Sequence, residues 1–371
     1  MKILLISPKI PPIGGMSTWT KFILDESVKH DEFQILHVDT AVRWRAIWYN
    51  SPLIRLFGGS IQAVKNILSA LFKMLRKSPH VIHICSTAGP GSIRDIVILW
   101  LGHRMRIPGI IHYRTGRLLI DKQENGLDWH LACRAIKLAE TIVVLTKSTM
   151  RCIEDIDPKK NIIILPNPIN LAEIKKIIKS KVRTAFSHKQ TSKIAFLGQI
   201  VPTKGISELV KACTQIQDSE LLLIGPVDAR YKKELEQISK AKKNGHWLFF
   251  FGAVQREEAL LQLSYADIFA LPSYREGFPN SIIEAMSLSK PIVASYVGAI
   301  SEILDINGTE QCGICVKPKD IDDLQMALKK VLNNKNLRNQ MGIFSRNRVE
   351  KLYSSEIVFP RLLNIWSKLI D

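Results

Sequence analysis

Two glutamates eight residues apart, Glu276 and Glu284, bracket the stretch REGFPNSIIEAM at 275–286. Between them lie Gly277, Phe278, Pro279, Asn280 and Ser281, and an apolar helical pattern follows. A carboxylate on either side of a turn that opens a helix can hold the two ends of one polar ligand. The free N–H groups and positive end of the helix attract phosphates. Gly277 lets the backbone come close without a Cβ in the way. Glu284, about one turn in, is placed to accept hydrogen bonds from ribose hydroxyls. Glu276 is placed to meet sugar hydroxyls, or positive charge developing at an anomeric carbon. Lys204, in the glycine-bearing stretch GQIVPTKG at 198–205, supplies a cation against a departing diphosphate. The same letters allow a plainer structure: Ser281 followed by Glu284 spells the capping box S-x-x-E, in which Glu284 only closes its own helix.

The elements that must carry these residues are legible as short apolar runs between helical patterns. KILLIS (2–7), FQILHV (33–38), HVIHIC (80–85), GIIHYR (109–114), TIVVLT (141–146) and NIIILPNP (161–168) read as strands of a first unit. KIAFLG (193–198), ELLLIG (220–225), WLFFFGAV (247–254), DIFALPS (267–273), PIVAS (291–295) and GICVKP (313–318) read as strands of a second. Alternation of strands with helical segments predicts parallel sheets with crossover helices. The expected organisation is a first Rossmann-like domain over 1–170, a second over 171–352, and a C-terminal helix over 353–371 packing back on the first, with a cleft between two doubly wound units. The lysine-rich segment 171–193 reads as the passage between them. Ligands of open α/β sheets collect at the carboxyl ends of the strands. There lie Gly14 and Gly15 after the first strand, Gly198, Lys204 and Gly205 after the first strand of the second unit, and the glutamate stretch.

In combination these motifs are specific. REGFPNSIIEAMSLSKPIVAS (275–295) resembles the E-x7-E region of family 4 of the retaining glycosyltransferases, which have the GT-B fold. PPIGGMS (11–17) resembles that family's Gly-Gly loop, and LPNPIN (165–170) its asparagine motif before the second domain. FLGQIVPTKGISELVKA (196–212) and FFFGAVQREEALLQLSYADIFALPSYREGFPN (249–280) follow in family order. The resemblance implies transfer of a sugar from a nucleotide sugar, with a UDP-sugar as first expectation and a GDP-sugar as alternative. It implies that Glu276 contacts the donor sugar, Glu284 the ribose and Lys204 the diphosphate. Gly15 would lie near the phosphates and acceptor, and the backbone near Val254 would hold the base. Two departures stand out. Gln199 occupies a place where the family usually has arginine, with Arg114, Arg117 and Arg275 as candidates to compensate. The family's histidine near the sugar falls in IIHYRTGRLL (110–119), where His112 or Arg114 could fill the role. A nucleotide-sugar epimerase of the same fold is the alternative chemistry.

No metal or other cofactor is expected. Asp155-Ile156-Asp157 and Asp320-Ile321-Asp322 match the D-x-D of metal-dependent transferases by letter, but both fall outside the strand-end cluster. Cys312 and Cys315 form a C-x-x-C without the second pair that a zinc site needs. The net charge is +18, and twelve Lys or Arg against one acid, Asp95, lie between Ala41 and Ile120. No reader helix or stacking sheet accompanies that charge, so no nucleic-acid partner is expected. The block instead interleaves Arg with Trp44, Trp48 and Tyr49, and puts Ile67, Leu68, Leu71, Phe72 and Leu75 at helical spacing beside Lys65, Lys73, Arg76 and Lys77. A basic amphipathic helix of that kind suits an anionic membrane surface. With no spanning segment or export signal visible, the expectation is a cytoplasmic enzyme, peripheral to the inner face of the plasma membrane, acting on a glycan or lipid-linked acceptor.

Overall fold

The computed structural model describes residues 1–11, 14–43, 52–114, 116–180, 191–242 and 246–370, with side chains at 52–57, 117, 120 and 180 left undescribed. Trp44, Trp48 and Tyr49 lie outside the described residues. The chain divides into two compact units, Met1–Asn167 with Val358–Asp371, and Pro168–Ile357.

The first unit runs β1 (Lys2–Ser7), α1 (Gly15–Ser27), β2 (Gln34–Asp39), α2 (Pro52–Lys77), β3 (Val81–Ser86), α3 (Ser92–Arg104), β4 (Gly109–Tyr113), α4 (Arg117–Glu124), α5 (Leu127–Leu138), β5 (Thr141–Val144), α6 (Lys147–Glu154) and β6 (Asn161–Ile164). Its sheet has the order β2-β1-β3-β4-β5-β6, with every pairing parallel. A central parallel sheet is covered on both faces, so its strands are continuous apolar runs. Successive side chains serve opposite cores. Ile3, Leu5, Val81 and Ile110 face Trp19 and Ile23 of α1. Leu4, Ile6, Ile82 and Ile111 face Ala70 and Met74 of α2, Leu99 of α3 and Ala135 of α5.

The second unit runs α7 (Leu171–Ser180), β7 (Ser192–Leu197), α8 (Ile206–Thr214), β8 (Ser219–Ile224), α9 (Ala229–Ser239), β9 (Leu248–Gly252), α10 (Arg256–Ser264), β10 (Ile268–Leu271), α11 (Asn280–Ser287), β11 (Ile292–Ser295), α12 (Ile300–Ile303), β12 (Gly313–Val316), α13 (Ile321–Asn333) and α14 (Lys335–Leu352). Its sheet order is β12-β11-β10-β7-β8-β9, again parallel. The segment expected to be a plain passage contains α7, whose Ile174 and Ile177 enter this unit's core. Helical spacing of its apolar residues outweighs its lysines, which stay outside. The last helix, α15 (Ser355–Ser367), carries Val358, Phe359, Leu362, Ile365 and Trp366 onto the α1 face of the first sheet.

Strand order reverses between β7 and β10 in the second sheet, and between β1 and β3 in the first. Crossovers leave such a point in opposite directions, which opens a crevice at the strands' carboxyl ends.

Candidate functional site

Lys204 and Glu276 come together across the β7–β10 switch point. Lys204 ends a short 3-10 turn, Pro202–Lys204, that follows β7. Glu276 sits in the loop that follows β10. The Lys204 Nζ lies 2.5 Å from Glu276 Oε1, and Ser273 Oγ donates to the same oxygen at 2.8 Å. Backbone ties hold the two loops in place: Tyr274 N donates to Thr203 O at 2.9 Å, and Ala299 N to Gly277 O at 3.0 Å. Two glycines make that closeness possible. Gly205 has φ +68°, and a Cβ there would stand 2.1 Å from Pro272 O. Gly298 has φ +55°, and a Cβ there would stand 2.0 Å from Glu276 O.

The expected capping box at Ser281 does not form. The helix α11 begins at Asn280, its N-cap is Pro279, and no side chain caps it. Proline already restricts φ and brings no N–H needing a partner, and the chain enters the helix two residues earlier than a Ser281 cap would place it. Ser281 is then inside the first turn, and Glu284 is released from closing the helix. Its carboxylate instead accepts from Arg256 Nε at 3.3 Å. Arg256 also reaches Glu173 on α7 at 3.1 Å through Nη1. Burial pushes the Glu284 carboxyl above its ordinary range, with Arg256 pulling the other way. Phe278 packs edge-on against Tyr353, ring centroids 5.9 Å apart, which fixes the turn from behind. Gln199 is exposed just past β7. Val254 is half-buried, its N–H donating to Gly252 O at 3.1 Å. Arg275 is exposed.

Arg256 and Ser273 were not singled out from the sequence. For Arg256 a faint signal existed: a cation in the first turn of a helix opposes the dipole and asks for another partner. Nothing in the sequence marks Ser273.

In the first unit Gly14 is the N-cap of α1, and its N–H donates to Ser17 Oγ at 2.9 Å; Gly15 opens the helix. His112 and Arg114 lie at and just after the end of β4, and both are buried. They belong to a chain of rings. Trp366 Nε1 donates to His83 Nδ1 at 2.9 Å, His83 Nε2 lies 3.2 Å from His112 Nδ1, and His112 Nε2 lies 3.3 Å from Arg114 Nη1. Arg114 Nη2 donates to Asn167 Oδ1, and the guanidinium lies over the Trp19 ring, 4.4 Å from its centroid. Asn167 of the LPNPIN motif thus anchors Arg114. Both nitrogens of His112 face partners inside this unit, which differs from its expected place at a sugar. Burial, then the charge of Arg114, lowers His83 to about 3 and holds His112 well below the usual imidazole range. The Arg114 Nε has no hydrogen-bond partner among the described residues.

His83, Cys85 and His112 also group their ligand atoms within 4.8 Å. The proton positions make them a poor metal site. Ligation through the facing His83 Nε2 requires the N–H on His83 Nδ1, the atom that already accepts from Trp366 Nε1. The Cys85 thiol is pushed up to about 12 by burial and stays protonated. The aspartates of the D-x-D matches serve local structure: Asp320 caps α13 by accepting from Asp323 N at 3.0 Å, and Asp155 pairs with Lys122 at 2.5 Å. Burial raises the Cys312 and Cys315 thiols to about 11 and about 12.

Residues 178–348 match the model of the family described as glycosyl transferases group 1. An uncharacterized glycosyltransferase of Methanocaldococcus jannaschii is 25% identical over 393 residues, covering 98% of this chain and 97% of that protein. A GDP-mannose-dependent monoacylated alpha-(1-6)-phosphatidylinositol monomannoside mannosyltransferase of Corynebacterium glutamicum is 30% identical over 186 residues, 47% of each. Among solved structures, sucrose-phosphate synthase from Thermosynechococcus elongatus superposes with a TM-score of 0.75 at 18% identity, covering 99% of this chain and 98% of that one. The two parallel six-stranded sheets with interleaved helices are the GT-B fold.

Proposed function

We propose that this chain is a group 1 glycosyltransferase, a reading supported by the family match over residues 178–348 and by the full-length relative, and that it moves a sugar from a nucleotide-sugar donor to a lipid-linked or polysaccharide acceptor, with retained anomeric configuration and without a metal ion. The observation that carries this reading is the 2.5 Å Lys204–Glu276 pair at the β7–β10 switch point, beside the uncapped start of α11. A diphosphate at that helix start meets free N–H groups, the positive helix end and the Lys204 ammonium. As the bond from the anomeric carbon to the phosphate oxygen breaks, its electron pair stays on the diphosphate, where these groups stabilise it; the acceptor hydroxyl oxygen bonds to that carbon on the same face and gives up its proton to the departing diphosphate. Lys204 is drawn from Glu276 toward phosphate, which leaves the carboxylate for the sugar. Glu284 turns from Arg256 to the ribose hydroxyls. In the first unit Arg114 is the candidate for the donor sugar or acceptor, and His112 is the residue that positions it. Surface-glycan assembly at the inner face of the plasma membrane is the setting. A UDP-sugar is the first donor to test and GDP-mannose, named in the Corynebacterium relative, the second.

Titration of nucleotides alongside thermal melts tests the assignment. Glu284→Gln should weaken binding of the preferred nucleoside diphosphate about tenfold, the loss of charged hydrogen bonds to ribose. Melting should change little, because no cap is removed. Reduced stability with unchanged affinity would return Glu284 to a structural role and overturn its place at the ribose.

A further inference from the structure

The helix α2 has two apolar sides. Ala70 and Met74 turn inward and are buried, with Ile67 packed beside them. Ile61, Val64, Leu68, Phe72 and Leu75, in steps of three, four, four and three residues, turn outward and are 55–66% exposed. Those steps put the five on one face of a helix. The neighbouring helix α3, which packs against α2, repeats the pattern with outward Ile93 and Trp100. Arginines sit over both outward rings: Arg76 lies 5.5 Å from the centroid of Phe72, and Arg104 lies 5.1 Å from that of Trp100. Lys65, Arg76 and Lys77 are exposed along the α2 stripe. No acid occurs anywhere in Pro52–Lys77. The one acid of α3, Asp95, is buried against Arg94 and Ser86.

From this arrangement we infer that the outward faces of α2 and α3 dock the protein on an anionic lipid bilayer. The apolar stripe enters the boundary between headgroups and acyl chains, while the Lys and Arg side chains extend their apolar stems beside it and leave their charges among phosphates. Charge decides the occupant. A second copy related by a two-fold axis would set this basic face against itself. A soluble anion would leave the apolar stripe in water. An anionic bilayer satisfies both features. The surface belongs to the first unit and the Lys204–Glu276 pair to the second, so the inference is tested independently of the transfer chemistry.

Co-sedimentation of the full chain with vesicles of phosphatidylglycerol and phosphatidylcholine tests the inference. Binding should appear with anionic vesicles and be weak with phosphatidylcholine alone. It should fall at about 1 M salt, where the Debye length is roughly 3 Å, but leave a remainder from the apolar stripe. Lys65→Glu with Arg76→Glu should lower the salt-sensitive part. Leu68→Ser with Phe72→Ser should weaken partition at least ~tenfold at all salt concentrations, and both positions are exposed enough to spare the fold, as circular dichroism will verify. Equal binding to neutral vesicles, or binding unchanged in both double variants, overturns the proposal. So does sedimentation showing a dimer of the wild type that Leu68→Ser with Phe72→Ser dissolves, since the face would then join two copies of this chain.

Discussion

Lys204 and Glu276 neutralise each other across the second unit's switch point, with Ser273 donating to the same carboxylate oxygen. On the proposed reading the Lys204 ammonium leaves Glu276 for a phosphate of the donor. Lys204→Ala should therefore lower turnover about 10²-fold, the scale of losing one charge stabiliser of a departing group. Affinity for the unphosphorylated nucleoside should stay the same. Steady-state kinetics with a nucleoside titration separates the two; an equal loss of nucleoside affinity would contradict the role. Gly298 supports the pair from below. A methyl there meets Glu276 O at 2.0 Å, and the φ of +55° is costly for any residue with a Cβ. Gly298→Ala should cost at least about 1–2 kcal/mol of stability from the backbone alone and displace Glu276 from Lys204, so melting temperature and turnover should fall together. A variant with wild-type melting and turnover would show that the loop tolerates the methyl and that its closeness is incidental.

At the level of elements, the buried ring chain joins α15 to β3 and β4 through Trp366, His83 and His112. It makes the protein acid-sensitive, with a sign fixed by the shifts. His83 is lowered from 6.5 to about 3, so its stabilising contribution is complete above about pH 6.5 and is lost as pH falls toward 3. The slope is about 1.4 kcal/mol per pH unit for this one group, and His112 adds in the same direction. Urea melts between pH 7 and 5 should show that slope, and His83→Gln should flatten it; an unchanged slope would place the acid sensitivity elsewhere. The strands were legible in the sequence because a parallel sheet buried on both faces needs apolar runs, as in ILLI of β1. The outward stripe of α2 was legible in part, through Leu68, Phe72 and Leu75 beside the basic residues, but helical spacing did not separate these from Ile67, which packs on the core, or add Ile61 and Val64 to them. Arg256 was hidden for a related reason: its pairing with Glu284 joins helices 28 residues apart in sequence, and spacing rules see only neighbours on one helix.

For the whole molecule, two sheets with reversed strand order place glycine-bearing loops at their carboxyl ends, and the motif residues of the second unit meet there because topology brings β7 beside β10. The motif REGFPNSIIEAM was readable as a turn opening a helix, while its contact with Lys204 required the sheet order that the sequence does not spell out. Among the described residues no helix is long and apolar enough to cross a membrane. We propose that at the Lys204–Glu276 pair the diphosphate is replaced on the same face of the sugar, with protein cations and helix N–H groups in place of a metal. Proton NMR of the reaction, run in EDTA with the preferred donor, tests it most directly. The account predicts turnover in EDTA and a new anomeric proton whose coupling shows the donor's own configuration. An inverted anomeric centre, or turnover that stops in EDTA and returns with Mn²⁺, would contradict it.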